Sequence, residues 1–114
     1  MRSIDTEQAL QEWIDSTQEQ TAVLFKHSTR CPISARANGE MAKVAEEFEP
    51  RGIAMGQILV VEHRDVSLAC ADKLGIRHES PQVIVMKEGQ VVWHDSHHEI
   101  TFDNVSLELT SSSR

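Results

Sequence analysis

The residues best placed to do chemistry are Cys31 and Ser34, three positions apart in Thr29-Arg30-Cys31-Pro32-Ile33-Ser34. A thiolate is the nucleophile of disulfide exchange, and it is favoured where unpaired backbone N–H groups and a helix dipole stabilise an anion. Cys31 meets that condition if a helix begins at Pro32, a residue suited to the first helical position because its missing N–H is no loss there. Arg30 adds positive potential beside the sulfur. Ser34 stands where a Cys-x-x-Cys motif carries its second, resolving thiol. A hydroxyl does not displace sulfur from a mixed disulfide, so the pair predicts a monothiol cycle in which a disulfide at Cys31 persists until an external thiol attacks it. Ser34 retains one use, as a hydrogen-bond donor to the Cys31 thiolate.

Cys70 is the second cysteine. It shares the apolar face of a predicted helix with Val66, Ala69 and Leu74, where a free cysteine behaves as a small hydrophobe. A resolving role for it stays open, because that role depends on the distance between the sulfurs. Ser80-Pro81 directly precedes an apolar run, an ordinary place for proline at the first residue of a strand. Six histidines raise the question of a metal. His94, His97 and His98, with Asp95 and Glu99 nearby, match no zinc spacing and read as a polar turn, so no metal site is expected. His27 either tunes the thiol from the end of the preceding strand or simply ends that strand. Trp13 and Trp93 read as packing residues.

To position Cys31, a strand must end just before it and a helix start just after it. Residues 21–27 form an apolar run of strand length, suited to a buried central strand. From Pro32, the residues Ala37, Met41, Val44, Ala45 and Phe48 recur at helical spacing, and Glu49-Pro50-Arg51-Gly52 ends the helix. Gly39 within it costs roughly 1 kcal/mol relative to alanine and marks a bend or close packing. Upstream, 5–17 reads as a helix capped by Asp5, with Gln8 three residues later and Leu10, Trp13 and Ile14 on one face. Downstream come a strand over 55–61, a helix over 66–74 capped by Asp65 and closed by Gly75, and strands over 82–86 and 90–93 joined through Lys87-Glu88-Gly89. Thr101 caps a last helix, with Ile100 and Val105 as its hydrophobic staple and Phe102 and Leu109 on the same side. The order α-β-α-β-α-β-β-α predicts an α/β fold around a central four-stranded mixed sheet, its first two strands parallel by crossover and its last two an antiparallel hairpin.

A chain of 114 residues fits one domain with its own core, expected over 1–110 with a frayed tail over 111–114. The 39% hydrophobic and 25% charged residues place it among globular rather than disordered chains. With net charge −7 and eleven Lys and Arg scattered singly, it lacks the basic stripe that would track nucleic acid or an anionic membrane. The N-terminal residues resemble no signal peptide, no run reaches membrane-spanning length, and two cysteines are too few for a disulfide framework, so a cytoplasmic protein is expected.

That element order, Cys31-Pro32-Ile33-Ser34 after a buried strand, Leu74-Gly75-Ile76 followed by Ser80-Pro81, and Lys87-Glu88-Gly89-Gln90 in the hairpin together resemble the thioredoxin superfamily over nearly the whole chain. More narrowly, Thr29-Arg30-Cys31-Pro32-Ile33-Ser34 resembles the monothiol bacilliredoxins, the thioredoxin-like proteins of the bacillithiol system. The resemblance implies a thiol-disulfide oxidoreductase in which Cys31 takes bacillithiol from proteins carrying it as a mixed disulfide. It implies that Pro81 is cis and faces the active cysteine, and that the backbone of Ser80 pairs with the bound substrate chain. Arg30, Pro32, Ile33, Ser80 and Pro81 are then the substrate-binding set, bacillithiol is a cosubstrate with no bound cofactor, and bacillithiolated client proteins are the partners. Bacillithiol carries the carboxylates of its malate portion, so Arg30 and Lys26 are expected contacts for it. The missing second motif cysteine departs from ordinary thioredoxins, and a general protein-disulfide reductase is not implied. Two other readings stand beside this one. An iron–sulfur carrier resembling monothiol glutaredoxins is weakened by Pro32, where those carriers typically have glycine. A non-catalytic thioredoxin-like binding module is the other, since a fold alone establishes no activity.

Overall fold

In the computed structural model, which describes residues 1–110, the strand Ala22–His27 is buried from end to end. The expected frayed tail over 111–114 lies outside the described residues. A strand covered on both faces needs a layer above and a layer below, and an apolar run without alternation is its mark in sequence. The chain supplies both layers. Its elements are β1 (Arg2–Ser3), α1 (Glu7–Ser16), β2 (Ala22–His27), α2 (Pro32–Phe48), β3 (Ala54–Leu59), α3 (Arg64–Leu74), β4 (Gln82–Lys87), β5 (Gln90–Ser96) and α4 (Phe102–Thr110). Phe25, Val23, Val83 and Val85 face α2 and α4, meeting Met41, Val44, Phe48 and Val105. Leu24, Ile84, Met86 and Ile58 face the other way, meeting Leu10 and Trp13 of α1 and Val66 and Cys70 of α3.

The sheet has five strands in the order β1-β3-β2-β4-β5, one more than expected. β2 lies parallel to β3, with His27 opposite Leu59, and antiparallel to β4, with Lys26 opposite Gln82. The additional strand is β1, which pairs parallel with β3 through Arg2 opposite Gly56. Two residues are too few to carry a periodicity, so nothing in the sequence marks them as a strand. Gly56 has a packing reason: a Cβ there would lie 2.8 Å from Ile4 Cδ1 and 2.9 Å from Trp13 Nε1.

Several boundaries move by a residue or two, each for a local reason. Thr6, not Asp5, caps α1: its extended backbone brings Oγ1 to within 3.0 Å of the Ala9 N–H, three residues on, where a capping oxygen must be. Asp5 instead lies 3.8 Å from His63 Nε2. Asp65 does not cap α3 either. His63 holds the cap position without a side-chain bond, and Asp65 lies in the first turn, where a carboxylate complements the dipole. Gly39 occupies an uninterrupted helix with open space around its missing Cβ, so close packing is not its reason. Between β4 and β5, Glu88 (φ 53°) and Gly89 (φ 77°) make the two-residue turn whose left-handed backbone matches strand twist. Thr101 Oγ1 accepts from Asn104 N–H at 3.1 Å, and Ile100 and Val105 are both buried at the start of α4.

Candidate active site

The end of β2 and the start of α2 are separated by only four residues, and Cys31 is the last of them. It takes the N-cap position of a 17-residue helix, with Pro32 at the first helical position and an extended backbone (φ −112°, ψ 124°). Its carbonyl accepts from Ala35 N–H at 3.0 Å, while its own N–H donates to the Ser28 carbonyl at 3.4 Å. The side chain makes no capping hydrogen bond and is partly exposed, so the sulfur stands free beside the N–H groups of the first turn. Arg30 and Pro32 flank it on the surface, and Ile33 is partly buried.

Ser34 takes the expected place one turn beyond Cys31, but its hydroxyl meets other groups. Its side chain is fully buried, and Oγ accepts from Ser28 N–H at 2.9 Å and lies 2.7 Å from His27 Nδ1. The hydroxyl is therefore occupied by the strand-end histidine rather than by Cys31. His27 is itself buried and stacks on Phe25, with ring centroids 5.4 Å apart. Burial holds its pKa below the usual histidine range, and the negative charge of Glu62 opposes this in part. A neutral ring has an acceptor nitrogen to offer Ser34. The two residues are seven apart, on different elements, and only the fold brings them together.

The Ser80-Pro81 peptide is cis. Because Gln82 pairs with Lys26, the residues just before β4 lie level with His27, at the edge of the sheet from which the Cys31 loop departs. Pro81 is buried, its carbonyl accepting from His97 N–H at 3.1 Å, and Ser80 is partly exposed with its Oγ buried and without a hydrogen-bond partner.

Lys26 is corrected by the structure. It is fully buried on the α3 side of the sheet, where Nζ donates to the Ser67 carbonyl at 3.1 Å and lies 3.3 Å from His78 Nδ1. A side chain enclosed there does not reach a ligand at Cys31. Burial lowers the Lys26 pKa, with the neighbouring Cys70 working in the opposite direction. Cys70 is fully buried in the same layer, and burial pushes its thiol up to about 11 against the pull of Lys26. Both cysteines are free, and Cys70 belongs to the α1/α3 layer while Ser34, one turn beyond Cys31, belongs to the α2 side. Gln82, opposite Lys26, completes this buried polar group, its Nε2 donating to the Arg77 carbonyl at 3.0 Å. Among the described residues no three His, Cys, Asp or Glu side chains gather as a metal site; His94, His97 and His98 are exposed. A concavity of about 630 Å³ runs along α3, lined by Asp65, Leu68, Asp72, Arg77 and His78, and is separate from Cys31.

A family model described as the monothiol bacilliredoxin BrxC matches residues 2–105. The chain belongs to the monothiol bacilliredoxin family. Solved structures give the same fold. One described as a candidate oxidoreductase with a thioredoxin fold is 27% identical, with a TM-score of 0.81 over 93% of this chain and 90% of that one. Thioredoxin from Fasciola hepatica is 17% identical, with a TM-score of 0.72 over 99% and 98% of the two chains. Thioredoxin NaTrxh from Nicotiana alata is 15% identical, with a TM-score of 0.75 over 95% and 88%. This bacilliredoxin-family chain is thus a single thioredoxin-like α/β domain, and family and fold together support a thiol oxidoreductase role. No helix among the described residues is long and apolar enough to cross a membrane.

Proposed function

We propose that this protein is a de-bacillithiolating enzyme that takes bacillithiol from client proteins through a mixed disulfide at Cys31. The observation that carries this reading is a partly exposed cysteine at a helix N-cap whose motif partner, Ser34, is a buried hydroxyl already committed to other groups. The first feature favours a nucleophilic thiolate. The second gives no thiol to resolve the adduct, and the other cysteine, Cys70, is buried in the α1/α3 layer.

In the cycle, the Cys31 thiolate attacks the bacillithiol sulfur of the modified client. The client S–S bond breaks, its thiolate leaves and takes a proton from water, and Cys31 carries bacillithiol. A second bacillithiol thiolate then attacks that sulfur, releasing the Cys31 thiolate and bacillithiol disulfide. Arg30, exposed beside Cys31, is the contact for the malate carboxylates, which a guanidinium can hold with paired hydrogen bonds. Pro32, Ile33, Ser80 and Pro81 form the wall against which the client chain lies, with the Ser80 backbone pairing to it. No bound cofactor is required, the electrons coming from bacillithiol, and the reducing cytoplasm is the compartment in which such a cycle runs.

The test is intact mass of wild type and Cys31→Ser after incubation with a bacillithiol-modified client and, separately, a glutathione-modified one. The expected result is gain of one bacillithiol by the wild type only, with the client returned to free thiol. Preferential transfer of glutathione would overturn the choice of small thiol. No transfer from either client would leave a thioredoxin-like binding module.

A further inference from the structure

Ser34 Oγ has one proton to give and two lone pairs with which to accept. Ser28 N–H takes one lone pair at 2.9 Å, and this bond has a fixed direction because the amide can only donate. The 2.7 Å contact with His27 Nδ1 has no fixed direction. With the ring proton on Nε2, Nδ1 is an acceptor and Ser34 must donate to it. With the proton on Nδ1, the ring donates to the second lone pair of Ser34, and the serine proton is free. The first turn of the helix then offers it a partner, because Cys31 at the N-cap and Ser34 at the third helical position are three residues apart on one side of that turn.

We infer that His27 is a positioning residue that sets the direction of the Ser34 O–H, holding it away from Cys31 while the thiol is protonated and releasing it to the sulfur when the thiolate forms. This deepens the exchange role proposed for Cys31 and rests on it. A hydroxyl bonded to an anion is held more strongly than one bonded to a neutral imidazole, so ionisation of Cys31 pulls the pair toward the second arrangement. The protons balance. Cys31 loses one to solvent, His27 releases one from Nε2 and takes one at Nδ1 through water, and Ser34 keeps its own while turning it from Nδ1 to Sγ. Among the described residues the charged group acting on the ring is Glu62, in the loop after β3, whose Oε2 is bound by Thr29 Oγ1 at 3.3 Å. Lys26, adjacent on β2, is held on the opposite face by Ser67 and does not compete. The ring stacked on Phe25 keeps Nδ1 aimed at α2.

The test is nitrogen-15 NMR of the histidine rings through the pH range in which thiolate absorbance at 240 nm appears. The absorbance that Cys31→Ser retains comes from Cys70, and subtracting it leaves the signal of Cys31. In the wild type His27 is expected to pass from the Nε2–H to the Nδ1–H form as Cys31 ionises. In Cys31→Ser, whose changed residue is partly exposed and leaves the core intact, and in Ser34→Ala, no such passage is expected. Alkylation of Cys31 near neutral pH should be about tenfold slower in Ser34→Ala, the effect of one hydrogen bond to a charged group. A His27 ring that keeps one form throughout in the wild type, or changes equally in Cys31→Ser, would overturn the inference. The readout needs neither client nor bacillithiol. A wild type that switches tautomer but transfers nothing would overturn the proposed activity alone, and one that transfers with a fixed ring would overturn this inference alone.

Discussion

Removing the Ser34 hydroxyl should cost far more than a substitution at a solvent-facing motif position. Ser34→Ala leaves two groups without partners, the Ser28 N–H and His27 Nδ1, both of them in residues less than one-tenth exposed. A buried donor deprived of its acceptor costs about 1–3 kcal/mol. The histidine nitrogen adds a smaller amount, because a neutral ring can lower its loss by changing tautomer. The sum is about 2–4 kcal/mol, a large share of the stability of a domain this size. It corresponds to a fall of about 8–17 °C in Tm. The assay is equilibrium urea unfolding followed by far-ultraviolet circular dichroism, in which the midpoint should drop while the slope stays constant. A loss below about 0.5 kcal/mol, the level of an ordinary surface change, would refute the idea that Ser34 pins β2 to α2.

Other expectations follow from the buried polar groups and from the packing. The Lys26 pKa is lowered from 10.5 by burial, so between its folded value and 10.5 the unfolded chain binds more protons and stability rises with pH. Lys26→Met should remove that slope and stabilise the protein by about 1–2 kcal/mol near neutral pH; urea melts showing lower stability or an unchanged slope would contradict this. Iodoacetamide at mildly alkaline pH should label one thiol per native chain and two in denaturant, since Cys70 is fully buried with its thiol pushed up to about 11. Rapid labelling of both in the native protein would show that α3 does not seal it. Gly56→Ala should lower stability by about 1–3 kcal/mol in thermal melts, because the added Cβ meets Trp13 Nε1 at 2.9 Å; an unchanged Tm would mean that Trp13 is not seated against β3.

The part of the molecule that places Cys31 was legible because its signals are local. An apolar run over 21–27, four connecting residues and a proline at the first helical position define a strand end and a helix start without tertiary information, and the strand observed is Ala22–His27. The same is true of the Glu88-Gly89 turn and the Thr101 cap. Less was legible where the deciding partner is remote in sequence. Ser34 pairs with His27 across the loop, and Lys26, a charged residue inside an apolar run, turns under α3 to meet Ser67. Spacing alone has no means of choosing between Cys31 and His27 as the partner of Ser34, or between surface and interior for Lys26. The strand β1 was missed because two residues carry no pattern, and the α1 cap because Asp5 and Thr6 are both good capping residues and backbone geometry selects one.

The most direct measurement is peptide mapping, under non-reducing conditions, of the wild-type protein after reaction with a bacillithiol-modified client. A single bacillithiol adduct on the peptide containing Cys31, none on the peptide containing Cys70, and persistence of the adduct until free bacillithiol is added are the expected findings. A disulfide joining Cys31 to Cys70, or an adduct carried by Cys70, would contradict a monothiol cycle centred on Cys31.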